Sequence, residues 1–217
     1  MFQSLRLQGL MPDTLPEVFG QDSEVWNSDF TIKAGEHVLV SAASGKGKST
    51  LIAILYGLKS NYKGDFLLNG ISSRLLGAAD WSQWRSTDIS IVFQDLRLFP
   101  QLSVADNLRL KGNLSESGLF DLEEAKSMCS ELGILSYWDR PCGTLSYGER
   151  QRVAIVRSLI QEAGLLLMDE PFSHLDRDNA DKALEIILRK TTARNAALLI
   201  TSLGQDYGWK YDRMLLL

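Results

Sequence analysis

The chain has 217 residues, a formal net charge of −4 and 45% hydrophobic residues, which together are typical of one folded globular domain with a buried core. It carries no block of basic residues, so we expect no nucleic-acid partner, and its longest apolar runs fall far below the ~18 residues that a membrane span requires. The N-terminus lacks the apolar core of a signal peptide, and Cys129 and Cys142 form no C-x-x-C pair, so we expect a reducing, cytosolic setting without a zinc site or a disulfide framework.

The first half of the chain predicts short strands around one glycine-bearing loop. Strands are predicted at residues 4–8, 29–32, 65–68 and 89–93, and a buried strand, HVLV, at 37–40. After Gly47, apolar residues recur at helical spacing, at Leu51, Ile54, Leu55 and Leu58. Strand, glycine-bearing loop and helix are the context that a phosphate-binding loop requires.

The second half alternates helical and strand patterns. From residue 95 to 141 the pattern is helical with Ser and Gly breaks, for example at 121–132. Further on, helices are predicted at 150–162 and 179–189, and strands at 165–168, 196–200 and 214–217. The strand at 165–168 is apolar throughout, as in a central parallel strand. Strands alternating with helices indicate an α/β fold.

The stretch SAASGKGKST, residues 41–50, fits the phosphate-loop pattern G-x-x-x-x-G-K-[ST], with Ala42 in place of the first glycine. Glycines let backbone N–H groups approach phosphate oxygens, and the helix N-terminus adds partial positive charge. Lys48 is expected to reach the β- and γ-phosphates of a bound nucleotide and Ser49 to ligate Mg²⁺. The predicted binding residues in the loop are Ser44, Gly45, Lys46, Gly47, Lys48, Ser49 and Thr50.

Two adjacent acids end the apolar strand in LLLMDEP, residues 165–171. They should lie at the carboxyl edge of the sheet, where ligands bind in open α/β folds. Asp169 can hold Mg²⁺ through water, and Glu170 can orient or deprotonate an attacking water. Acids also end strands merely because they favour solvent, and the phosphate loop upstream is what favours the catalytic interpretation.

Three further segments complete an ordered set: VFQDLRLFPQLSVADNL (92–108), LSYGERQRVAIVRSL (145–159) and SHLD (173–176). The set closely resembles the ATP-binding cassette (ABC) ATPases, whose signature is usually LSGGQ. Gln94 lies at the glutamine-loop position and residues 173–176 at the D-loop position. The resemblance covers most of the chain and implies a catalytic and Mg²⁺-binding role for Gln94.

The resemblance implies a P-loop NTPase core of mainly parallel sheet with helices on both faces. A small N-terminal antiparallel β subdomain and an inserted α-helical subdomain complete one domain, with the core at 1–94 and 141–217 and the insertion at 95–140. It also implies a head-to-tail dimer, in which ATP meets Lys48 of one copy and Ser146 and Gly148 of the other. A separate integral membrane permease would dock near residues 94–110 and would hold the chain at the inner face of the cell membrane. Phe99, Pro100 and Leu102 are candidate contacts, and a core role for each fits the sequence at least as well.

The chain departs from the family pattern at several positions. Tyr147 replaces the second signature glycine, and we expect its side chain to pack away from the nucleotide. Lys46 stands where a small residue is commoner. Phe19 falls where the family has an aromatic that stacks on adenine, and we expect that role for it; the alternative is a core phenylalanine near a turn.

Ser202 is the sharpest departure, since it occupies the place of the histidine that reaches the γ-phosphate. Neither His37 nor His174 takes that place by alignment. Losing one preorganised donor costs ~10²–10³ in rate, so we expect ATP binding with slow hydrolysis.

Three interpretations of function stay open. The first is the ATPase subunit of an ABC transporter, most similar to the lipoprotein-release and macrolide-export group. The second is a mechanical signalling ATPase of the cell-division type. The third is a degenerate cassette that only binds ATP, favoured by Ser202, Tyr147 and Ala42 and opposed by Lys48, Asp169 and Glu170.

Overall fold

A computed structural model describes residues 1–114 and 120–217. The described part contains nine strands: β1 (Ser4–Pro12), β2 (Asp29–Lys33), β3 (His37–Ser41), β4 (Tyr62–Leu68), β5 (Ile71–Ser72), β6 (Ile89–Val92), β7 (Leu165–Asp169), β8 (Ala197–Ser202) and β9 (Arg213–Leu216). It also contains six α-helices: α1 (Lys48–Leu55), α2 (Ala78–Thr87), α3 (Val104–Asn113), α4 (Leu122–Glu131), α5 (Tyr147–Ile160) and α6 (Arg177–Ala193).

The strands form two sheets. One is antiparallel, in the order β2-β1-β4-β5, and the other is parallel, in the order β6-β7-β8-β3-β9. Strands β3 and β7 both flank β8 at the centre of the parallel sheet, so their carboxyl ends lie at one edge. The α/β fold with a parallel sheet and an N-terminal antiparallel sheet, predicted from the sequence, is confirmed.

The parallel sheet separates two hydrophobic cores, because successive side chains of a strand point to opposite faces. Leu166 and Met168 of β7 pack into a core shared with α3 to α6. Leu165 and Leu167 pack on the other face, with α1 and the antiparallel sheet. Both faces of the sheet are therefore covered, as the continuous apolar pattern of residues 165–168 predicted.

Several predicted boundaries were wrong. Helix α1 ends at Leu55, so Leu58 lies beyond it and is 45% exposed. Helix α5 begins three residues before the predicted start, because Ser146 caps it. Helix α2 was not predicted, and it has no buried residue, so its apolar pattern is weak.

Helices α3 and α4 lie within the predicted insertion at 95–140, of which residues 115–119 are outside the described part. Cys129 and Cys142 are buried and free. Within residues 1–114 and 120–217, no helix is both long enough and apolar enough to cross a membrane.

Candidate functional site

Leu15 and the ring of Trp26 pack against the loop between β3 and α1 at Gly47. Gly47 has a φ of 102°, and a Cβ there would lie 2.6 Å from Leu15 Cδ1 and 3.1 Å from the Trp26 ring. Both the backbone conformation and the space thus require glycine. The Trp26 indole N–H donates to the Lys46 carbonyl at 3.2 Å, and Trp26 is fully buried. No pattern in the sequence indicates this support.

Lys48, the first residue of α1, points back into the loop and is 5% exposed. Its ammonium donates to the carbonyls of Ala42 at 2.9 Å and Ala43 at 3.2 Å. It also lies 3.3 Å from Glu170 Oε1, so the predicted lysine and the predicted base form a buried ion pair. Ala42 is itself buried at the beginning of the loop, and its carbonyl accepts the hydrogen bond from the Lys48 ammonium.

The two acids lie at the carboxyl end of β7, as predicted, and both are buried. Asp169 Oδ1 accepts a hydrogen bond from Thr201 Oγ1 at 2.8 Å. The Glu170 N–H donates to Thr201 on β8, and Glu170 has a φ of 49°, a left-handed conformation that is strained for a non-glycine residue. Thr201 therefore fixes both acids, and sequence reasoning missed it although it directly precedes Ser202.

Gln94 follows β6 and faces the phosphate loop. Its Oε1 accepts a hydrogen bond from Ser49 Oγ at 3.1 Å. Ser49, Gln94 and Asp169 line one open cavity of about 410 Å³, together with Tyr147.

This cavity suits Mg²⁺ bound together with phosphate. Ser49, Gln94 and Asp169 offer it a hydroxyl, an amide oxygen and a carboxylate. Mg²⁺ prefers such hard oxygen ligands and commonly takes only one or two protein carboxylates beside phosphates. Among the described residues no cluster of three His, Cys, Asp or Glu side chains could hold a metal by itself. The residues present fit an ion that is brought in with a nucleotide.

The signature segment forms the N-terminus of α5. Ser146 Oγ accepts from the Glu149 N–H, and the Glu149 carboxylate accepts from the Ser146 N–H at 2.8 Å, which is a capping box. The hydrogen bond from the Ser146 backbone is the main cause that lowers the pKa of Glu149. Ser146 is exposed and Gly148 is partly exposed, so both can be approached from outside the chain.

Tyr147 does not pack outward into solvent; it turns back onto its own chain. Its hydroxyl donates to the Gln94 carbonyl at 2.6 Å, and its ring centroid lies 4.2 Å from that of His174. The side chain lines the cavity of Ser49 and Asp169. The sequence could not predict this direction, because it depends on how α5 meets the loop after β6.

Ser202 ends β8 and is fully buried. Its hydroxyl donates to the Gln205 carbonyl at 2.7 Å, so it is engaged by its own turn. Its carbonyl accepts from the Ala42 N–H at 3.2 Å, which places the backbone of Ser202 beside the phosphate loop. The aligned position is thus near the loop, while the serine side chain points elsewhere.

Phe19 lies in a short 3₁₀ helix, Glu17–Gly20, and its ring comes close to the phosphate loop. The ammonium of Lys46 lies 4.1 Å from the ring centroid, a cation–π contact. The loop and the aromatic residue predicted to stack on adenine are therefore neighbours.

Gln151 is a buried polar residue of α5 that the sequence did not single out. Its amide donates to the Glu170 carbonyl at 3.1 Å and its Oε1 accepts from the His174 N–H at 3.2 Å. It thus joins α5 to the segment that carries the base. Gln151 lies two positions after Glu149 of the capping box, and this spacing can be recognised only once the start of α5 is known.

The family model described as ABC transporter matches residues 25–173 of the chain. HrtA of Staphylococcus epidermidis, named for hemin import and ATP binding, is 33% identical over 95% of this chain and 95% of its own length. The lipoprotein-releasing system ATP-binding protein LolD 1 of Rhodospirillum rubrum is 31% identical over 94% of this chain and 93% of its own length. The dimeric ATP-binding cassette MJ0796 bound to ADP and Pi has a TM-score of 0.85 at 23% identity, over 98% of this chain and 94% of that one.

Proposed function

The chain belongs to the ABC transporter family as an ATP-binding subunit with ATPase activity, and we propose that Lys48, Ser49, Gln94, Asp169 and Glu170 form its site for ATP and Mg²⁺. The observation that carries the proposal is their convergence at the carboxyl edge of the parallel sheet. The ammonium of Lys48 lies 3.3 Å from Glu170 Oε1, and Ser49 Oγ lies 3.1 Å from Gln94 Oε1.

Each of these residues has a distinct role in the proposal. Lys48 turns from Glu170 to the β- and γ-phosphates, which releases the carboxylate of Glu170 to orient and deprotonate the attacking water. Ser49, Asp169 and Gln94 would hold Mg²⁺, which would supply positive charge to the phosphate oxygens. The backbone N–H groups of residues 44–50 bind the phosphates, and Phe19 stacks on adenine.

A second copy of the chain completes the site in this proposal. Ser146 and Gly148 of one copy meet the ATP bound by the phosphate loop of the other, in a head-to-tail dimer. Their accessibility at the N-terminus of α5 and the positive end of that helix support this arrangement. The similarity to a dimeric cassette supports it at the level of the fold.

Hydrolysis is slow in this proposal, because Ser202 supplies no donor to the γ-phosphate. Its hydroxyl is held by the Gln205 carbonyl. ATP binding depends on the phosphate loop and on Mg²⁺, so it is retained.

An integral membrane permease is the proposed partner, and it attaches the chain to the inner face of the membrane. The insertion at 95–140 would receive it, at a groove lined by Phe93, Phe99, Leu110 and Lys111. Phe99 is 55% exposed, while Pro100 is exposed and Leu102 is partly buried. Burial and the nearby charge of Arg157 lower the pKa of Lys111 to about 8, so a carboxylate on the partner suits this groove. Relatives named for lipoprotein release and hemin import favour transport over a signalling role.

The experiment is Glu170→Gln in the full chain, with ATP turnover and ATP affinity measured separately. Loss of the base lowers turnover by about 10²–10⁴-fold and leaves ATP bound, because Lys48 and Ser49 remain. The control, Glu162→Gln, removes the same charge at an exposed position after α5 and leaves both values unchanged. Equal turnover of wild type and Glu170→Gln would instead identify a cassette that only binds ATP.

A further inference from the structure

We propose that Tyr147 is a positioning residue that ties the signature segment to the Gln94 loop of the same chain. Through this tie, nucleotide bound at one site sets the position of Ser146 and Gly148 toward the nucleotide of the partner copy. The inference rests on the proposed dimer, in which Ser146 and Gly148 serve the partner's site. A glycine at position 147 could make no such connection.

The first support is the way in which the side chain of Tyr147 is held. Its hydroxyl donates to the Gln94 carbonyl at 2.6 Å, which is within the range of a well-formed O–H···O bond. Its ring packs against His174 with centroids 4.2 Å apart, and the Arg150 guanidinium lies 5.3 Å from its centroid. Contacts on the ring and on the hydroxyl fix both the direction and the tip of the side chain.

The backbone around Tyr147 is also constrained. A hydrogen bond from the Tyr147 side chain therefore affects the position of the whole signature segment. The Ser146–Glu149 capping box fixes the start of α5. A Cβ on Gly148 would lie 3.0 Å from the His174 carbonyl, so the backbone of Gly148 packs directly on the segment after Glu170. Ser146, Tyr147 and Gly148 therefore move with the two segments that they contact.

The other end of the tie lies in the nucleotide site. Gln94 accepts from Tyr147 through its carbonyl and from Ser49 through its side-chain Oε1. Ser49 Oγ and Gln94 Oε1 are two oxygens that Mg²⁺ would engage, so nucleotide binding acts on the residue that Tyr147 holds. The path Ser49–Gln94–Tyr147 consists of two hydrogen bonds and one residue between them.

A second connection runs from the same helix to the base. Gln151 Nε2 donates to the Glu170 carbonyl, and Gln151 Oε1 accepts from the N–H of His174, whose ring packs on Tyr147. Tyr147 thus contacts the glutamine loop directly and the Glu170 segment through its ring. This explains why an aromatic hydroxyl side chain is compatible with a position where the family usually has glycine.

The test uses the full chain carrying Glu170→Gln, so that bound ATP persists. ATP-driven dimerisation is followed by sedimentation, and ATP affinity is measured at protein concentrations too low for dimers. Adding Tyr147→Phe removes only the hydroxyl, and we expect the ATP concentration for half-maximal dimerisation to rise about fivefold, the effect of one ordinary hydrogen bond. ATP affinity of the monomer stays unchanged, because the hydroxyl donates to a backbone carbonyl and not to the nucleotide.

The matched control is Tyr211→Phe, since the buried Tyr211 hydroxyl has no hydrogen-bond partner within residues 1–114 and 120–217. It should leave dimerisation unchanged. Tyr147→Gly, which restores the residue usual in the family, should shift dimerisation in the same direction as Tyr147→Phe.

Two results would overturn the inference alone: equal dimerisation with and without the Tyr147 hydroxyl, or a loss of monomer ATP affinity as large as the shift in dimerisation. Failure of the Glu170→Gln chain to dimerise while Tyr147 is intact would overturn the proposed dimer itself, and the inference with it.

Discussion

At the scale of single residues, the site is organised around one buried ion pair. The side chains of Lys48 and Glu170 are 5% and 8% exposed, so neither charge is well solvated. Two carbonyls and the carboxylate satisfy the ammonium, and a phosphate group can replace the carboxylate as its partner. Because an unpaired buried charge is costly, Lys48 needs an anionic partner, which is Glu170 here and would be a phosphate group when nucleotide is bound.

The residue that limits turnover in our proposal is Ser202. Ser202→His should raise ATP turnover of the assembled complex, by at most the ~10²–10³-fold that one preorganised donor supplies. The carbonyl of Ser202 accepts a hydrogen bond from the Ala42 N–H, so the backbone at position 202 lies beside the phosphate loop. A histidine side chain at this position is long enough to extend toward the γ-phosphate. Steady-state ATP hydrolysis measures the effect, and ATP affinity should not change.

The matched control for this change is Leu203→His, which adds a histidine at the next residue, where the side chain is 54% exposed. It should leave turnover at the wild-type value. If Ser202→His also leaves it there, the slow step has another cause.

At the scale of elements, the start of α5 determines how the signature segment is presented. The helix begins at Tyr147, so Ser146 is its N-cap and Glu149 its third residue. The predicted start at residue 150 was wrong because the apolar spacing begins only at Val153, while the cap precedes it. Apolar periodicity locates the buried face of a helix, and capping residues locate its end.

Glu149→Ala should destabilise the chain by about 1 kcal/mol at pH 7, because it removes half of the capping box. Hydrogen bonding from Ser146 lowers the pKa of Glu149 below its unfolded value of 4.5, so the contribution is present above that pH and is lost as the pH falls. The difference in unfolding free energy between wild type and Glu149→Ala should therefore narrow from pH 7 to pH 4. Denaturant unfolding at both pH values measures it.

A useful comparison for this prediction is Glu123→Ala. Glu123 is an acid in the first turn of α4, whose N-cap is Asp121, and its side chain is 85% exposed. That change should cost less than Glu149→Ala at pH 7. If the difference in unfolding free energy between wild type and Glu149→Ala increased from pH 7 to pH 4, it would contradict the assigned role of the carboxylate.

At the scale of the whole molecule, the parallel sheet separates the core formed with α1 and the antiparallel sheet from the core formed with α3 to α6. The loop that carries Gln94 and Phe99 joins the two, since Gln94 bonds Ser49 while the backbone of Phe99 bonds Asn107 of α3. In our proposal, a movement of Gln94 on nucleotide binding would reach the groove around Phe99. This continuity would couple ATP binding to the docked partner.

Phe99→Ser should weaken co-purification with the membrane partner by tenfold or more, on the order of the loss of a buried aromatic anchor. ATP affinity of the isolated chain should not change, because Asn107 holds the backbone of Phe99 and not its ring. Pull-down from membranes, together with ATP titration, measures both.

Leu75→Ser provides the control for docking, since Leu75 is 78% exposed next to the antiparallel sheet. It should leave co-purification intact. An equal loss of co-purification in both variants, or no loss in Phe99→Ser, would show that the partner docks elsewhere on the chain.

The sequence by itself determined the fold class, and it singled out residues that the fold brings together at one edge of the parallel sheet. Phosphate-loop spacing, the apolar strand ending in two acids and the order of the motifs can all be recognised from the amino-acid sequence alone. For this reason Lys48, Asp169 and Glu170 could be named before any coordinates were known. The buried strands could be named as well, because burial on both faces leaves a continuous apolar run.

Only the tertiary structure decided which way side chains point and what they meet. The bond from Tyr147 to Gln94 joins residues 53 positions apart, and Thr201 meets Asp169 across 32. Such contacts depend on the angle at which α5 and β8 pack on the rest of the chain, which no local pattern encodes. That is why Tyr147 and Ser202 were visible in the sequence as departures, while their orientations became known only from the fold.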